Sequence, residues 1–206
     1  MATTIQEFVK ERGINCLMHF TRMQNLGSIL ERGLVTRDTL ILEGFSDFND
    51  QIRLDETHAV CGSIGFPNYK MFYRLRCENP KERWVVIVLH ETILWELNCA
   101  FCCRNAASKH MTTTPWENKL GLSALQAMFI DQPHGERQAG LSKDFTTDPQ
   151  AEVLMLDGVP REYIWGVVTE SIADKNQVEA KYPGLEVYHQ PEYFSGRPDH
   201  VYWKGR

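Results

Sequence analysis

Thr146-Thr147-Asp148-Pro149-Gln150-Ala151-Glu152-Val153-Leu154-Met155-Leu156 carries a polar segment into an apolar run, with a carboxylate at the border. The polar segment, Asp131 to Gln150, is broken by Pro133, Gly135 and Gly140 and mixes both signs of charge, so it reads as a flexible loop. Val153 to Leu156 reads as the strand that receives it. Glu152 then has two readings: the solvated first residue of an edge strand, or a general base held on a rigid element while the loop meets a substrate. The same strand is expected to form a hairpin with Tyr163 to Val168, turning around Asp157-Gly158-Val159-Pro160.

Trp84-Val85-Val86-Ile87-Val88-Leu89 is apolar on both alternating faces and predicts a fully buried central strand. Thr4-Ile5-Gln6-Glu7 has the capping-box pattern of a first helix that Gly13 stops. Ile14 to Phe20 reads as a strand with Leu17 and His19 on one face, and Thr21 as the cap of a second helix running to Gly33. Asp38 to Asp55 reads as irregular, and Ala59 to Phe66 as a strand stopped by Pro67. Helices are expected after Leu89, over Leu120 to Ile130 and over Ser171 to Lys181, with a last strand at Leu185 to His189. No repeat or linker divides the chain, so residues 1–206 form one α+β domain.

A hydrophobic content of 43% with 24% charged residues excludes global disorder. The net charge of −5 argues against holding duplex DNA by bulk electrostatics, so any nucleic-acid contact is local. No apolar run approaches the roughly 20 residues of a membrane span. Met1-Ala2-Thr3-Thr4 opens an amphipathic helix, not a signal peptide, and a cytoplasmic protein without a membrane partner is expected. The six cysteines sit mostly in apolar surroundings, which suits reduced thiols.

Three stretches carry candidate chemistry. His19-Phe20-Thr21 followed by a helix places an imidazole and a hydroxyl near a helix N-terminus, with Asn25 one turn on; this is either a nucleotide grip or a satisfied histidine and an ordinary cap. Between His58 and Cys77 there is no acid, and Lys70, Arg74 and Arg76 alternate with Phe66, Tyr69, Phe72 and Tyr73. Such interleaving tracks phosphates and stacks bases, or the aromatics are core. Cys99, Cys102 and Cys103, with His90 and His110 nearby, raise a zinc site against buried free thiols, without a second Cys-x-x-Cys to support it.

Taken together, His19-Phe20-Thr21 with Asn25-Leu26-Gly27-Ser28-Ile29-Leu30, Arg53 with Phe66-Pro67-Asn68-Tyr69-Lys70-Met71-Phe72-Tyr73, Arg104-Asn105-Ala106-Ala107, and Gln150-Ala151-Glu152-Val153-Leu154 resemble the DarT family of DNA ADP-ribosyltransferase toxins. The resemblance implies a split, twisted β-core with peripheral helices, binding NAD as co-substrate between two half-sheets and needing no metal. It implies Glu152 and Arg53 as catalytic, and His19, Thr21, Asn25 and Tyr69 or Phe72 around the dinucleotide. Residues 131–150 would be the substrate-recognition loop on single-stranded DNA, with His134, Arg137, Gln138, Lys143 and Gln150 reading the base and Lys70 and Arg74 holding the strand. A cognate antitoxin, an ADP-ribosyl hydrolase of macrodomain or NADAR type, is implied as partner. The segment around Gly65 to Phe72 differs from that of thymidine-modifying members, which points to the guanine-directed branch. An RNA or protein acceptor is the competing reading, and a zinc-stabilised binding module without catalysis the third.

Overall fold

The computed structural model describes residues 2–45, 48 and 58–205, so Arg53 lies outside the described residues. In chain order the elements are α1 (Ile5–Arg12), β1 (Cys16–Arg22), α2 (Leu26–Arg32), α3 (Arg37–Leu42), β2 (Val60–Ile64), α4 (Tyr69–Glu78), β3 (Trp84–His90), α5 (Ile93–Glu96), β4 (Cys99–Cys102), α6 (Lys109–Thr113), α7 (Gly121–Ala127), β5 (Glu152–Met155), β6 (Ile164–Thr169), α8 (Ile172–Lys181) and β7 (Glu186–His189). The strands form one sheet in the order β4-β5-β2-β1-β3-β6-β7, antiparallel except for the β6/β7 pair. The α+β class is as expected.

β3 sits between β1 and β6 and is buried on both faces, as its unbroken apolar run requires. Val85, Ile87 and Leu89 meet α1, α2, α5, α7 and α8 in the larger core. Trp84, Val86 and Val88 face Phe72 and Leu75 of α4 and Phe194 in a second core on the opposite side. Each fully buried side chain of this size stabilises the fold by about 1.5–3 kcal/mol.

β1 starts two residues later and ends two residues later than its apolar pattern suggests, because seven register pairs tie Cys16–Arg22 to β3. Thr21 is therefore a strand residue opposite Val85, not a helix cap. Thr4 does cap α1, accepting from Glu7 N–H at 3.1 Å, and Gly13 closes it at φ 69°. Leu40-Ile41-Leu42, read as irregular, belongs to α3.

The expected hairpin does not form. β5 pairs with β2 and β4, while β6 pairs with β3 and β7. Between them Val159 exchanges two backbone hydrogen bonds with Leu34, both 2.8 Å, which draws the connection beneath the end of α2. Gly33, at φ 82°, makes that approach possible, since a Cβ there would lie 2.2 Å from Val159 O.

The sheet is split where β1 meets β2. Only Leu17↔Ile64 and Met18↔Ser63 are in register, after which β1 continues along β3 and β2 along β5. Two half-sheets, β4-β5-β2 and β1-β3-β6-β7, thus diverge from a short seam.

Candidate functional site

His19 is the first β1 residue beyond that seam. Its Nδ1 donates to Cys61 O on β2 at 2.8 Å, so an imidazole crosses the gap where backbone pairing has ended. With Nδ1 donating, Nε2 of the neutral ring is an acceptor. Two residues on, Thr21 is 2% exposed and its Oγ1 accepts from Asn25 Nδ2 at 3.0 Å. His19, Thr21 and Asn25 are held together as the sequence suggested, though by strand geometry and not by a cap.

Past the seam lies a cavity of about 1280 Å³, floored by Met18 to Arg22 of β1 and Val60 to Ser63 of β2. Lys70 and Arg74 of α4 line one side, Ser28 and Arg32 of α2 another, and Asn105, Ala107, Gln150 and Glu152 close it. Glu152 is 5% exposed on β5, which is an inner strand because β4 covers it. The edge-strand reading is therefore wrong, and so is a solvated carboxylate. Its Oε2 accepts from the Ala106 N–H at 2.7 Å, and Asn105 Oδ1 accepts from Ala107 N–H at 3.0 Å, so a tight turn after β4 orients the carboxylate. A backbone donor has no residue-type signature, and sequence reasoning missed this role.

Among the described lining residues, Arg22, Arg32, Arg37, Lys70 and Arg74 outnumber Glu43, Glu78 and Glu152. The cavity is locally basic in a chain whose net charge is −5, which favours an anionic ligand. Arg22, Asn68 and Asn105 line it and were not singled out from sequence. Asn68 had a signal available, an Asn three residues before Met71 at the start of a helical run, where it caps α4.

Other expected contacts do not converge here. Phe72 is 1% exposed in the second core, stacked on Phe20 at 4.5 Å and 9° and edge-on to Trp84, so no face remains for a nicotinamide. Tyr69 does not line the cavity, and its hydroxyl is buried without a hydrogen-bond partner among the described residues. Burial pushes the Tyr69 phenol up to about 12, with the Asp199 carboxylate adding to the shift.

The segment 131–150 is anchored instead of flexible along most of its length. His134 Nε2 donates to Asp148 Oδ2 at 2.6 Å, and Arg137 donates to Phe145 O and Ser142 O at 2.7 and 2.6 Å. These two side chains hold the loop to itself. Gln138 bonds Glu136 O and Lys143 is exposed, both away from the cavity lining. Gln150 alone of the five loop candidates lines the cavity, its N–H held by Asp148 Oδ1 at 2.7 Å. The loop is pinned from the C-terminal tail. Arg197 donates to Thr146 O and Thr147 O at 2.8 and 2.9 Å, and Trp203 packs so close to Gly135 that a Cβ there would lie 2.3 Å from the indole.

Cys99 and Cys102 are buried in different cores, on opposite faces of β4, because residues three apart on a strand point opposite ways. Among the described residues no group of three or more His, Cys, Asp or Glu is placed to hold a metal, and the zinc-module reading loses its ligands. No described helix is long and apolar enough to cross a membrane.

Comparison with solved structures finds the same fold. A Thermosipho africanus DarTG in complex with ADP-ribose matches with a TM-score of 0.59 and 17% identity over 87% of this chain and 51% of that one, so this chain spans about half its length. Thermus sp. 2.9 DarT matches in complex with ADP-ribosylated ssDNA, with a TM-score of 0.58 and 15% identity over 89% of this chain and 97% of that one. It also matches in complex with NAD+, at 0.54 and 14% over 88% and 98%. A comparison with curated proteins found no match. The family model described as "DarT: ssDNA thymidine ADP-ribosyltransferase, DarT" covers residues 18–202, from the strand that carries His19 through the tail that pins the loop, and the chain belongs to that family.

Proposed function

We propose that the protein transfers the ADP-ribosyl group of NAD to a base of single-stranded DNA and releases nicotinamide. The observation that carries this reading is a buried, oriented carboxylate, Glu152, in the same basic cavity as His19, Thr21 and Asn25, at the split of a DarT-family sheet. The relatives' complexes with NAD+ and with ADP-ribosylated ssDNA support the same two substrates.

The chemistry follows from the groups present. Cleaving the nicotinamide–ribose bond leaves positive charge at the anomeric carbon, and Glu152 stabilises that charge from a fixed position. Its orientation by Ala106 N–H means little reorganisation is needed as the charge develops. The bonding electrons leave with neutral nicotinamide. A base nitrogen then bonds to the anomeric carbon while Glu152, or a water it orders, removes the nitrogen's proton; this general-base step contributes typically about 10²–10⁴-fold. His19 Nε2 accepts from a hydroxyl or amide of the dinucleotide, while Thr21 and Asn25 shape the neighbouring wall. Lys70 and Arg74 hold the DNA strand, and Gln150 is the loop candidate that lines the cavity with Glu152. Arg53, outside the described residues, is kept as the candidate contact to the NAD diphosphate. Single-stranded DNA is the economical substrate because a paired base masks its nitrogen in the stack.

The family description names thymidine, and nothing supports the guanine preference suggested by the Gly65–Phe72 segment. Thymine, whose only ring N–H in the nucleoside is N3, is the acceptor to test first. A cognate antitoxin that reverses the modification is the proposed partner, of macrodomain or NADAR type. Incubating the protein with NAD and four single-stranded oligonucleotides, each lacking one base, and reading intact mass beside a Glu152→Ala control tests the reading. An ADP-ribose gain that vanishes with one omitted base and with the variant is expected. Mass appearing on RNA or on protein, and on no DNA strand, would replace DNA as the acceptor.

A further inference from the structure

We infer that Asn68, Lys70 and the first turn of α4 form a phosphate subsite in the cavity wall. Asn68 lines the cavity and is 1% exposed. Its Oδ1 accepts from Met71 N–H at 3.2 Å, which caps the helix and thereby fixes which end of the amide is nitrogen. Nδ2 is buried and has no hydrogen-bond partner among the described residues. Folded proteins rarely leave a buried amide donor unsatisfied, and a site awaiting a ligand is one of the settings in which they do.

Three further features converge on the same wall. α4 is ten residues long, and its N-terminal end, the positive end of its dipole, lies where Asn68, Lys70 and Met71 line the cavity. Lys70 and Arg74 follow one turn apart on the cavity side. Burial holds the Lys70 ammonium below its ordinary pKa, with Asp148 pulling the other way, and an anion alongside would offset that desolvation. The approach to Asn68 is rigid. Phe66 is 7% exposed, and its ring lies 5.7 Å from that of Phe145 and 5.3 Å from that of Tyr193.

An amide N–H₂, an ammonium and a helix N-terminus are donors and positive charge together, and the group that matches them is a phosphate. The inference rests on the proposed function for the source of that phosphate: the phosphodiester backbone of the DNA strand or the diphosphate of NAD. Both present the same oxygens.

The test separates the donor from the cap. Asn68→Asp keeps a capping oxygen but puts a carboxylate where the donor was, and Asn68→Ser keeps a capping hydroxyl and removes the donor without adding charge. Wild type and both variants are titrated calorimetrically with inorganic pyrophosphate, with NAD and with a short oligo-dT strand at two salt concentrations. Thermal melts run in parallel. The expected result is that Asn68→Asp binds pyrophosphate and at least one of the other ligands about ten- to a hundredfold more weakly, and Asn68→Ser less so, with melting temperatures unchanged. Loss confined to NAD assigns the site to the diphosphate. Loss confined to oligo-dT, with a shallower salt dependence, assigns it to the DNA backbone. Wild-type affinities in both variants, or no binding of any of the three ligands by the wild type, would overturn the subsite. Binding losses as expected in a protein that never adds ADP-ribose to DNA would sink the proposed reaction while leaving the subsite standing.

Discussion

Replacing Arg197 by alanine is expected to unsettle the loop that leads to Glu152. Arg197 is 1% exposed and donates to Thr146 O, to Thr147 O and, through Nε and Nη2, to both oxygens of Asp199 at 2.7 Å each. Its loss removes the clamp on two carbonyls and leaves Asp199, whose side chain is 6% exposed, without its guanidinium. Trp203 Nε1, 2.9 Å from Asp199 Oδ2, is too weak a donor to replace it. Breaking one side of a buried ion pair costs about 3–5 kcal/mol. In a chain of this size that corresponds to a fall in melting temperature of roughly 6–20 °C. Thermal denaturation followed by circular dichroism reads it directly. The double variant Arg197→Met with Asp199→Leu should recover only the part of the loss that comes from the uncompensated Asp199 carboxylate, because the Thr146 and Thr147 carbonyls stay without their donor. A fall of less than about 2 °C in Arg197→Ala, or a double variant no more stable than the single, would refute the assignment of this pair as the anchor of the loop.

Glu152→Gln keeps an amide oxygen to accept from Ala106 N–H and loses the carboxylate, so transfer measured by DNA mass should fall at least about 100-fold with the melting temperature nearly unchanged. His19→Ala removes the bridge to Cys61 O and the acceptor nitrogen, and calorimetry with NAD should show affinity weakened by about tenfold or more; equal affinity would remove His19 from the dinucleotide site. Tyr69→Phe deletes a buried hydroxyl that has no partner among the described residues, and should leave stability at neutral pH equal or higher. The Tyr69 phenol titrates higher folded, at about 12, than unfolded, near 10, so its contribution is complete below pH 10 and lost as pH rises through 12. Between those values the wild type should therefore lose stability more steeply than Tyr69→Phe, as urea denaturation at stepped pH would show.

The sequence alone carries the strands and helices whose signals are local. Trp84–Leu89 is central because an unbroken apolar run can be satisfied only by burial on both faces, and α1 begins and ends where Thr4 and Gly13 say it does. It also brought His19, Thr21, Asn25, Lys70, Arg74, Gln150 and Glu152 forward, all of which line one cavity. Tertiary structure decided which strands pair. Local pattern predicts a hairpin from β5 to β6, yet the Leu34–Val159 exchange sends the chain to the other half-sheet, and such a contact between residues 125 apart leaves no periodicity to read. It also decided which polar side chains meet substrate. His134 and Arg137 have the chemistry of base readers but bond within the loop and do not line the cavity, Phe72 is consumed by the core, and the N–H that orients Glu152 belongs to a backbone that every residue shares. Residue type limits what a side chain is able to do. Only the fold determines which partner reaches it first, because hydrogen-bonding capacity and buried surface are each spent once.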